Sequence, residues 1–232
     1  MNIEPVKTTL IKPGESIFDV FAKHVKKLDE GCVIVISSKI AALEQKRIID
    51  AEDFKKVLKK EAQYISKRET CPGIYLTLAD GILIPNAGID FSNIKKGKAI
   101  LWPKNPQKFA KKFHEKARRH YKIKRLGVLI VDSRCQMLRM GTLAVTLACA
   151  GIEPVKDERN KKDLFGNKLK VTRVAVADSL ACAAHVVMGE SKEKTPFVII
   201  KNAPVKFTNK KSRLKIRPEQ CLFRELYPRK LL

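Results

Sequence analysis

The sequence predicts a single-domain mixed α/β fold, and three observations lead to that prediction. Short apolar runs rich in valine and isoleucine alternate with longer segments whose apolar residues recur at helical spacing. Apolar residues make up 44% of the 232 residues, which is enough to bury a substantial core. No internal repeat or low-complexity linker divides the chain. Residues 1–232 are therefore predicted to form one domain, with a basic C-terminal segment from about residue 201.

The first part of the chain is predicted to alternate strands and helices. Residues 8–14 look like the end of a first strand and a turn, and residues 15–27 place apolar side chains at helical spacing. Residues 32–38 form a β-branched strand that ends in two serine hydroxyls. Residues 53–66 carry one apolar stripe opposite a row of lysines, which indicates a second amphipathic helix.

A hairpin and a polar loop follow these elements. Two apolar runs within residues 74–86 flank an Asp-Gly turn, which is a strong hairpin signal. The second run leads into residues 86–93, where Asn86, Asp90 and Asn93 can offer oxygens to a hard cation or a ribose. An Asx-rich turn explains the same stretch about equally well.

The second part of the chain is predicted to contain two helices and three strands. Residues 104–124 have one aromatic and apolar face and one densely cationic face. Residues 127–131 form a buried strand, and the small alternating residues at 141–151 are typical of a closely packed central strand. Residues 174–189 are alanine-rich and helical, and residues 197–200 form the last buried strand.

Three acidic residues each follow one of these predicted elements. Asp132 comes directly after the apolar run at 127–131, Asp90 lies in the polar loop, and Glu190 follows Gly189 at a helix end. An aspartate at a strand end is also a common turn former, so its position alone does not establish a site. If the three carboxylates converge, they form an all-oxygen site that suits Mg²⁺ or Mn²⁺ and can engage phosphate.

The composition favours a soluble cytoplasmic protein with anionic partners. Lysine and arginine outnumber aspartate and glutamate 48 to 24, so the formal net charge is +24. The six cysteines are scattered without a Cys-x-x-Cys pair, which is typical of reduced thiols. No apolar run approaches the roughly 20 residues that a membrane helix needs, so no membrane partner is expected.

Five stretches of the chain resemble the coenzyme F420-0:L-glutamate ligase family in their order and spacing. They are Asn86-Ala87-Gly88-Ile89-Asp90-Phe91-Ser92-Asn93, the strand up to Asp132-Ser133, Lys162-Asp163-Leu164-Phe165-Gly166, Val176-Ala177-Asp178 and Met188-Gly189-Glu190. No single stretch would suffice, but five in register make the resemblance specific. It covers roughly residues 10–200.

The resemblance implies a fold, a reaction and a set of cofactors. The fold would be the mixed α/β one of this ligase type, seen as an intertwined homodimer. The reaction would join L-glutamate through its amine to an acceptor carboxylate by way of an acyl phosphate. The small-molecule substrates would be a nucleotide, GTP or else ATP, together with L-glutamate and an anionic acceptor. Mg²⁺ or Mn²⁺ would be required, and a monovalent cation could take part.

The family's functional residues can be carried over by position. The metal site would consist of Asp90, Asp132, Ser133 and Glu190. Catalytic roles would fall to Asp90, Asp132 and Arg139. The nucleotide site would consist of Leu10, Ile11, Ser37, Ser38, Asn93 and the segment that begins with Met188, Gly189, Glu190 and Ser191.

Two departures from the family pattern leave the substrates open. Leu43 stands where the family usually has a nucleotide-contacting lysine, and Arg134-Cys135-Gln136 replaces the family's Asn-Gly-Arg. The acceptor could therefore be coenzyme F420-0 or a folate, whose glutamate tail is extended by similar chemistry. The same departures are compatible with a family member that has lost its activity. The charge alone would also suit a basic nucleic-acid-binding protein, which is the least favoured hypothesis because no RNA- or DNA-binding motif accompanies the charge.

Overall fold

The computed structural model describes residues 1–210 and 213–227, so part of the basic C-terminal segment lies outside the described residues. The helices are α1 Ile17–His24, α2 Ser38–Glu44, α3 Phe54–Glu61, α4 Pro106–Tyr121 and α5 Val176–Met188. The strands are β1 Asn2–Val6, β2 Cys32–Ser37, β3 Ile48–Asp50, β4 Tyr64–Ile65, β5 Leu76–Ala79, β6 Ile82–Pro85, β7 Lys98–Ile100, β8 Leu126–Cys135, β9 Thr142–Ala150, β10 Lys156–Asp157, β11 Arg173–Val174 and β12 Phe197–Lys201. Short 3-10 turns lie at Ala51–Asp53, Asn86–Gly88, Pro218–Gln220 and Arg224–Leu226.

A five-stranded sheet with the order β1-β12-β2-β8-β9 forms the centre of the protein. β2 and β8 run parallel, whereas the other neighbouring strands run antiparallel. The side chains of β2 are almost all buried because helices cover both faces of the sheet. The mixed α/β fold class is therefore confirmed.

Two apolar cores lie on opposite faces of this sheet. Helices α1, α2 and α4 cover one face, where the Phe21 ring lies edge-on to Phe113 at 5.6 Å and to Phe197 at 5.1 Å. Helix α5 covers the other face with small residues, including Ala177, Ala181 and Ala184. Small side chains allow the helix backbone to approach the sheet closely.

A third core lies beside the end of β8 and β9. It joins α3, the β4-β5-β6 sheet and the residues after β7, and it includes Ile84, Ala99 and Trp102. Val145 and Leu147 of β9 extend into it. The central sheet and the β4-β5-β6 sheet thus share one apolar interior.

A β-bulge marks the point where β8 and β9 pass from the central cores to the third core. Ile130 pairs with Ala148, but Val131 pairs with Thr146, so Leu147 is the extra residue. Beyond the bulge, Asp132 lies opposite Val145, whose side chain packs in the third core. The bulge therefore sets the face toward which Asp132 points.

Several sequence predictions of secondary structure are confirmed. Helices α1, α4 and α5, the strands β2 and β12, and the β5-β6 hairpin lie where the apolar periodicity placed them. Gly189 follows α5 with φ 71° and ψ 172°, a conformation that favours glycine but differs from the left-handed helical cap expected of a glycine at a helix end. No helix in residues 1–210 or 213–227 is long and apolar enough to cross a membrane.

Other predictions of secondary structure are wrong at the ends of elements or in their place in the sheet. The first strand ends at Val6, before residues 8–14, and the helix expected over residues 53–66 ends at Glu61. β8 continues through Asp132 to Cys135, so Asp132 does not end the strand. β9 is an outer strand of the sheet rather than a central one.

β9 has the composition of a central strand because other groups cover its outer edge. The Gln107 amide donates to the Cys149 carbonyl at 2.7 Å, and the Asp178 carboxylate accepts from the Thr146 amide at 2.8 Å. These side chains take the place of a further strand in satisfying the backbone of β9. The Val176-Ala177-Asp178 stretch thus contributes an edge contact.

Candidate active site

Asp132 is held on the partly buried portion of β8 by three donors. The Trp102 indole N–H donates to Asp132 Oδ2, the Ser133 amide donates to Oδ1 at 3.0 Å, and the Ser38 side chain also interacts with the carboxylate. Burial raises the pKa of Asp132 to about 6, and these hydrogen bonds only partly oppose that rise. The nearby charge of Asp90 raises the pKa further.

The turn at Asn86–Gly88 brings Trp102 to this position. Asn86, Ala87 and Gly88 all have positive φ values, an uncommon run for residues other than glycine. A Cβ at Gly88 would collide with the Trp102 indole at its Nε1 edge. Only glycine therefore allows the indole to lie against this turn and donate to Asp132.

Asp90 is fixed by its backbone and by two side chains. Its amide and carbonyl pair with Ile100 of β7 at 2.9 and 2.8 Å. Its carboxylate accepts from the Ser92 amide at 2.7 Å and forms an ion pair with Lys39 Nζ at 2.6 Å. Burial acts to raise the pKa of Asp90, but the hydrogen bonds and the Lys39 charge outweigh it and hold the pKa below its ordinary value.

The two carboxylates form a neighbouring but unequal pair. Asp90 has a lysine counter-ion, whereas Asp132 is neutralised by no ion pair within the described part of the chain. Two carboxylates flanked by the hydroxyls of Ser38 and Ser92 form a set of hard oxygen donors. Such a set fits Mg²⁺ or Mn²⁺ better than zinc, which prefers nitrogen and sulfur ligands.

Glu190 and the Ser133 hydroxyl do not join this pair in one chain. The Glu190 side chain is 54% exposed and forms an ion pair with His185, which lies near the C-terminal end of α5. Among residues 1–210 and 213–227, no three His, Cys, Asp or Glu residues form a group that could hold a metal ion. Alternation along β8 directs the Ser133 hydroxyl to the face opposite Asp132. The convergence expected of the three acids is thus not found within a single chain.

Several predicted nucleotide-site residues do come together near the end of β2. The Asn93 side chain donates to the Ser191 carbonyl at 2.8 Å, which connects the polar loop with the segment after α5. The Ser37 amide donates to the Pro196 carbonyl at 3.0 Å, and Ser38 contacts Asp132. Ser37, Ser38, Asn93 and Ser191 thus lie beside the acid pair.

Other predicted site residues have different surroundings. Leu10 is 78% exposed, whereas the Ile11 side chain is buried in the central core and cannot offer a ligand contact. Arg139 lies exposed in the β8-β9 turn, where its amide donates to the Gln136 carbonyl at 3.3 Å. The Asn86 side chain bonds the backbone of Tyr75 at 2.9 Å, so it supports the turn and is not free to bind a cation.

Sequence reasoning missed two side chains that touch the acid pair. Trp102 is the only tryptophan in the chain, and it follows the short strand β7, which the sequence did not predict. Lys39 directly follows the two serines at the end of β2, and the sequence did not mark it as a partner for Asp90. Nothing in the local sequence joins Lys39 to Asp90, 51 positions later in the numbering.

Comparison with known proteins identifies the family of this fold and site. The sequence profile of the F420-0:gamma-glutamyl ligase family matches residues 5–202. The chain belongs to the F420-0:gamma-glutamyl ligase family. The match contains Asp90, Asp132 and all five stretches on which the resemblance rests. It ends close to the start of the basic C-terminal segment.

Individual members of the F420-0:gamma-glutamyl ligase family match over nearly their whole length. The coenzyme F420:L-glutamate ligase of Methanocaldococcus jannaschii is 35% identical over 238 residues, with 93% of each chain covered. The protein of that name from Methanococcus maripaludis strain C7 is 36% identical, with 97% of each chain covered. The one from Archaeoglobus fulgidus is 29% identical, covering 84% of this chain and 85% of its own.

Membership in the F420-0:gamma-glutamyl ligase family confirms the predicted resemblance and the enzyme class, an acid–amino-acid ligase. The assignment of individual residues to the nucleotide, metal and catalytic sites remains a prediction. The geometry brings Asp90, Asp132, Ser38 and Asn93 into one region and leaves Glu190 and Arg139 outside it.

Proposed function

We propose that the chain joins L-glutamate to the carboxylate of an anionic acceptor, with coenzyme F420-0 as the first acceptor to test. The paired carboxylates of Asp90 and Asp132 carry this proposal. They lie beside the predicted nucleotide residues, and the relatives named above are coenzyme F420:L-glutamate ligases. Because a free carboxylate is a poor electrophile, amide formation requires that the acceptor carboxylate first be activated by the nucleotide.

Asp90 and Asp132 would hold Mg²⁺ or Mn²⁺, with Ser38 and Ser92 as neighbouring hydroxyls. When bound, the ion would stabilise the negative charge of the nucleotide phosphates. Trp102 orients the Asp132 carboxylate and shields its inner side from water. Lys39 is long enough to move from Asp90 to a phosphate oxygen when a substrate is present.

The reaction would take place in two balanced steps. An acceptor carboxylate oxygen attacks the γ-phosphorus of GTP or ATP, which forms an acyl phosphate and releases the nucleoside diphosphate. The amine of L-glutamate then attacks the acyl carbon, the carbon–oxygen bond to phosphate breaks, and inorganic phosphate leaves. The amine proton passes to solvent or to a nearby base. No covalent bond to a protein side chain is required.

The nucleotide would lie between the end of β2 and the segment after α5. Ser37, Ser38, Asn93 and Ser191 line this region. Leu43 packs its side chain against the central core, one helical turn after Lys39 on α2. Lys39 therefore offers a positive charge near the position where the family usually has its nucleotide-contacting lysine.

Exposed apolar side chains support the proposed homodimer. Leu138 and Met140 in the β8-β9 turn are fully exposed, and Leu164 and Phe165 between β10 and β11 are 99% and 89% exposed. We call these two segments, the β8-β9 turn and the connection between β10 and β11, the apolar arms. Exposed apolar side chains of this kind are typical of a surface that a second subunit covers. A dimer could bring further groups to the acid pair.

Product formation tests the proposed function directly. The full-length protein is incubated with GTP or ATP, Mg²⁺ or Mn²⁺, L-glutamate, and either coenzyme F420-0 or a folate. Mass spectrometry should show an acceptor heavier by one glutamate residue. Asp90→Asn should abolish this product, whereas Asp157→Asn should not, since Asp157 is an exposed carboxylate paired with Arg159. The absence of product with both acceptors and both nucleotides would contradict the proposal.

A further inference from the structure

A basic cavity of about 670 Å³ lies away from the acid pair. The start of α4, the bulge residue Leu147 and the C-terminal segment surround it. Its lining contains four cationic residues and one acid: Lys108, Arg213, Lys215, Arg217 and Asp80. Three of the four cations come from the C-terminal segment, beyond the last residue that the family profile matches.

The single acid of this basic cavity is already neutralised. Lys215 Nζ forms an ion pair with Asp80 Oδ2 at 2.6 Å and also donates to the Asp80 carbonyl. Lys108, Arg213 and Arg217 form no ion pair with any described residue. Their charges converge on the same space without a counter-ion from the described chain, so the cavity attracts an anion.

A second cavity adjoins the basic cavity and extends to Trp102, the residue that donates to Asp132. It has a volume of about 300 Å³ and shares Asp80, Asn105 and Pro106 with the basic cavity. Trp102 lines this second cavity, and the same indole donates to Asp132. A ligand extending through both cavities would therefore run from the unpaired cations to Trp102, while Asp90 and Asp132 themselves line neither cavity.

We propose that the basic cavity binds the anionic remainder of the acceptor, its phosphate or carboxylate groups, while the reacting carboxylate lies near Asp90 and Asp132. This inference rests on the proposed ligase function. Of the predicted nucleotide residues, those near β2 and after α5 line neither cavity. The acceptor would thus extend past Trp102 to the acid pair, along a path that no predicted nucleotide residue lines.

Charge removal in the basic cavity tests the assignment. The double variant Arg213→Gln, Arg217→Gln changes two exposed side chains, so the fold should be retained. The KM for coenzyme F420-0 should rise at least about tenfold, while the KM for the nucleotide changes less than about twofold. Lys108→Gln, on a different element, should raise the same KM. The matched control is Lys112→Gln, Arg119→Gln, which removes two exposed charges from α4 outside the cavity.

Direct binding separates this inference from the proposed function. Titration calorimetry measures coenzyme F420-0 binding to the full-length protein without nucleotide or glutamate. Weaker binding in the cavity variant than in the control supports the inference, even if no ligation is observed. Ligation with an acceptor KM that responds equally in both variants would overturn it and leave the ligase function intact. A raised nucleotide KM, or acceptor binding that is unchanged in the cavity variant, would also overturn it.

Discussion

Asp90 and Asp132 differ in the groups that neutralise them. Asp90 has Lys39 and Ser92 as partners, and these hold its pKa low, whereas burial dominates at Asp132 and raises its pKa to about 6. A carboxylate that is partly buried without a cation destabilises the folded protein when it ionises. Ionised Asp132 therefore lowers the stability of the folded protein, and a bound divalent cation would offset this loss.

Asp132→Asn tests this cost in the metal-free protein. The folded-state pKa lies above the unfolded value of 3.8, so Asp132 contributes stability below about pH 4 that is lost as the pH rises through about 6. Asparagine does not titrate. Relative to the unchanged protein, the variant should gain about 2 kcal/mol of unfolding free energy between pH 4 and pH 7. Urea denaturation in EDTA measures the difference, and a constant difference across this range would contradict the assigned pKa.

Lys39→Gln tests whether the ammonium competes with a metal ion at Asp90. Lys39 Nζ lies 2.6 Å from Asp90 Oδ2 and 2.9 Å from the Ser92 hydroxyl, so it takes a place next to the carboxylate that a cation would use. The variant should bind Mn²⁺ several-fold more tightly, as measured by electron paramagnetic resonance of free Mn²⁺. Lys98→Gln, which releases Asp50 instead, is the matched control and should leave the affinity unchanged.

The sequence predicted the two aspartates of the site but not their surroundings. Asp132 could be found because it follows an apolar run and Asp90 because it lies in the polar loop after the predicted hairpin, and both belong to stretches that resemble the family. Trp102 and Lys39 could not, since their contacts span 30 and 51 positions and depend on the turn that brings the chain back. Long-range contacts of this kind leave no local signal.

The Asn86–Gly88 turn is the element on which the Trp102 position depends. The positive φ values of its two non-glycine residues, Asn86 and Ala87, store backbone strain, and hydrogen bonds between the backbone and the Asn86 and Thr77 side chains hold the turn in place. The Thr77 hydroxyl accepts from the Ala87 amide at 2.7 Å, which links the turn to the β5-β6 hairpin. Contacts therefore run from the β5-β6 hairpin through this turn and Trp102 to Asp132.

Gly88→Ala should displace the indole from Asp132. Both Gly88 and Gly97 have φ near +75° to +80°, so alanine costs about 1 kcal/mol at either position. Only at Gly88 would the new Cβ collide with Trp102, whereas nothing lies near it at Gly97. Gly88→Ala should therefore lose roughly 1–3 kcal/mol more than Gly97→Ala in urea denaturation.

Trp102 is the only tryptophan, so its fluorescence reports on the change at Gly88 without labelling. The emission maximum should move to longer wavelength in Gly88→Ala and stay in place in Gly97→Ala. Equal spectra and equal stabilities for the two variants would show that the turn does not position the indole.

At the scale of elements, the sequence predicted the long and strongly periodic segments correctly. Helices α4 and α5 and the strand β2 have clear apolar patterns, and all three were found. Helix α2 was missed because its seven residues are too few to show a period. The extent of β8 was misjudged because its apolar run ends where the strand leaves the central cores, four residues before its pairing ends.

At the scale of the whole molecule, the exposed apolar arms predict association of two copies. Phe165→Asp together with Leu164→Asp should shift the protein toward monomer in size-exclusion chromatography with light scattering, because charge on these side chains opposes burial. The matched control is Leu222→Asp, an apolar residue that is 88% exposed in the C-terminal segment. A monomeric unchanged protein, or equal behaviour of both variants, would contradict the predicted dimer.

The pairing of β1 with β12 determines when the protein can fold. Asn2 pairs with Lys201, and β12 lies between β1 and β2, so the central sheet stays incomplete until the chain has been synthesised past residue 201. The first strand must remain unpaired through most of translation, and the edge of β2 that β12 later covers stays open. Contacts of such large sequence separation slow folding and expose strand edges to aggregation. Completion of the central sheet therefore waits for the last strand, β12.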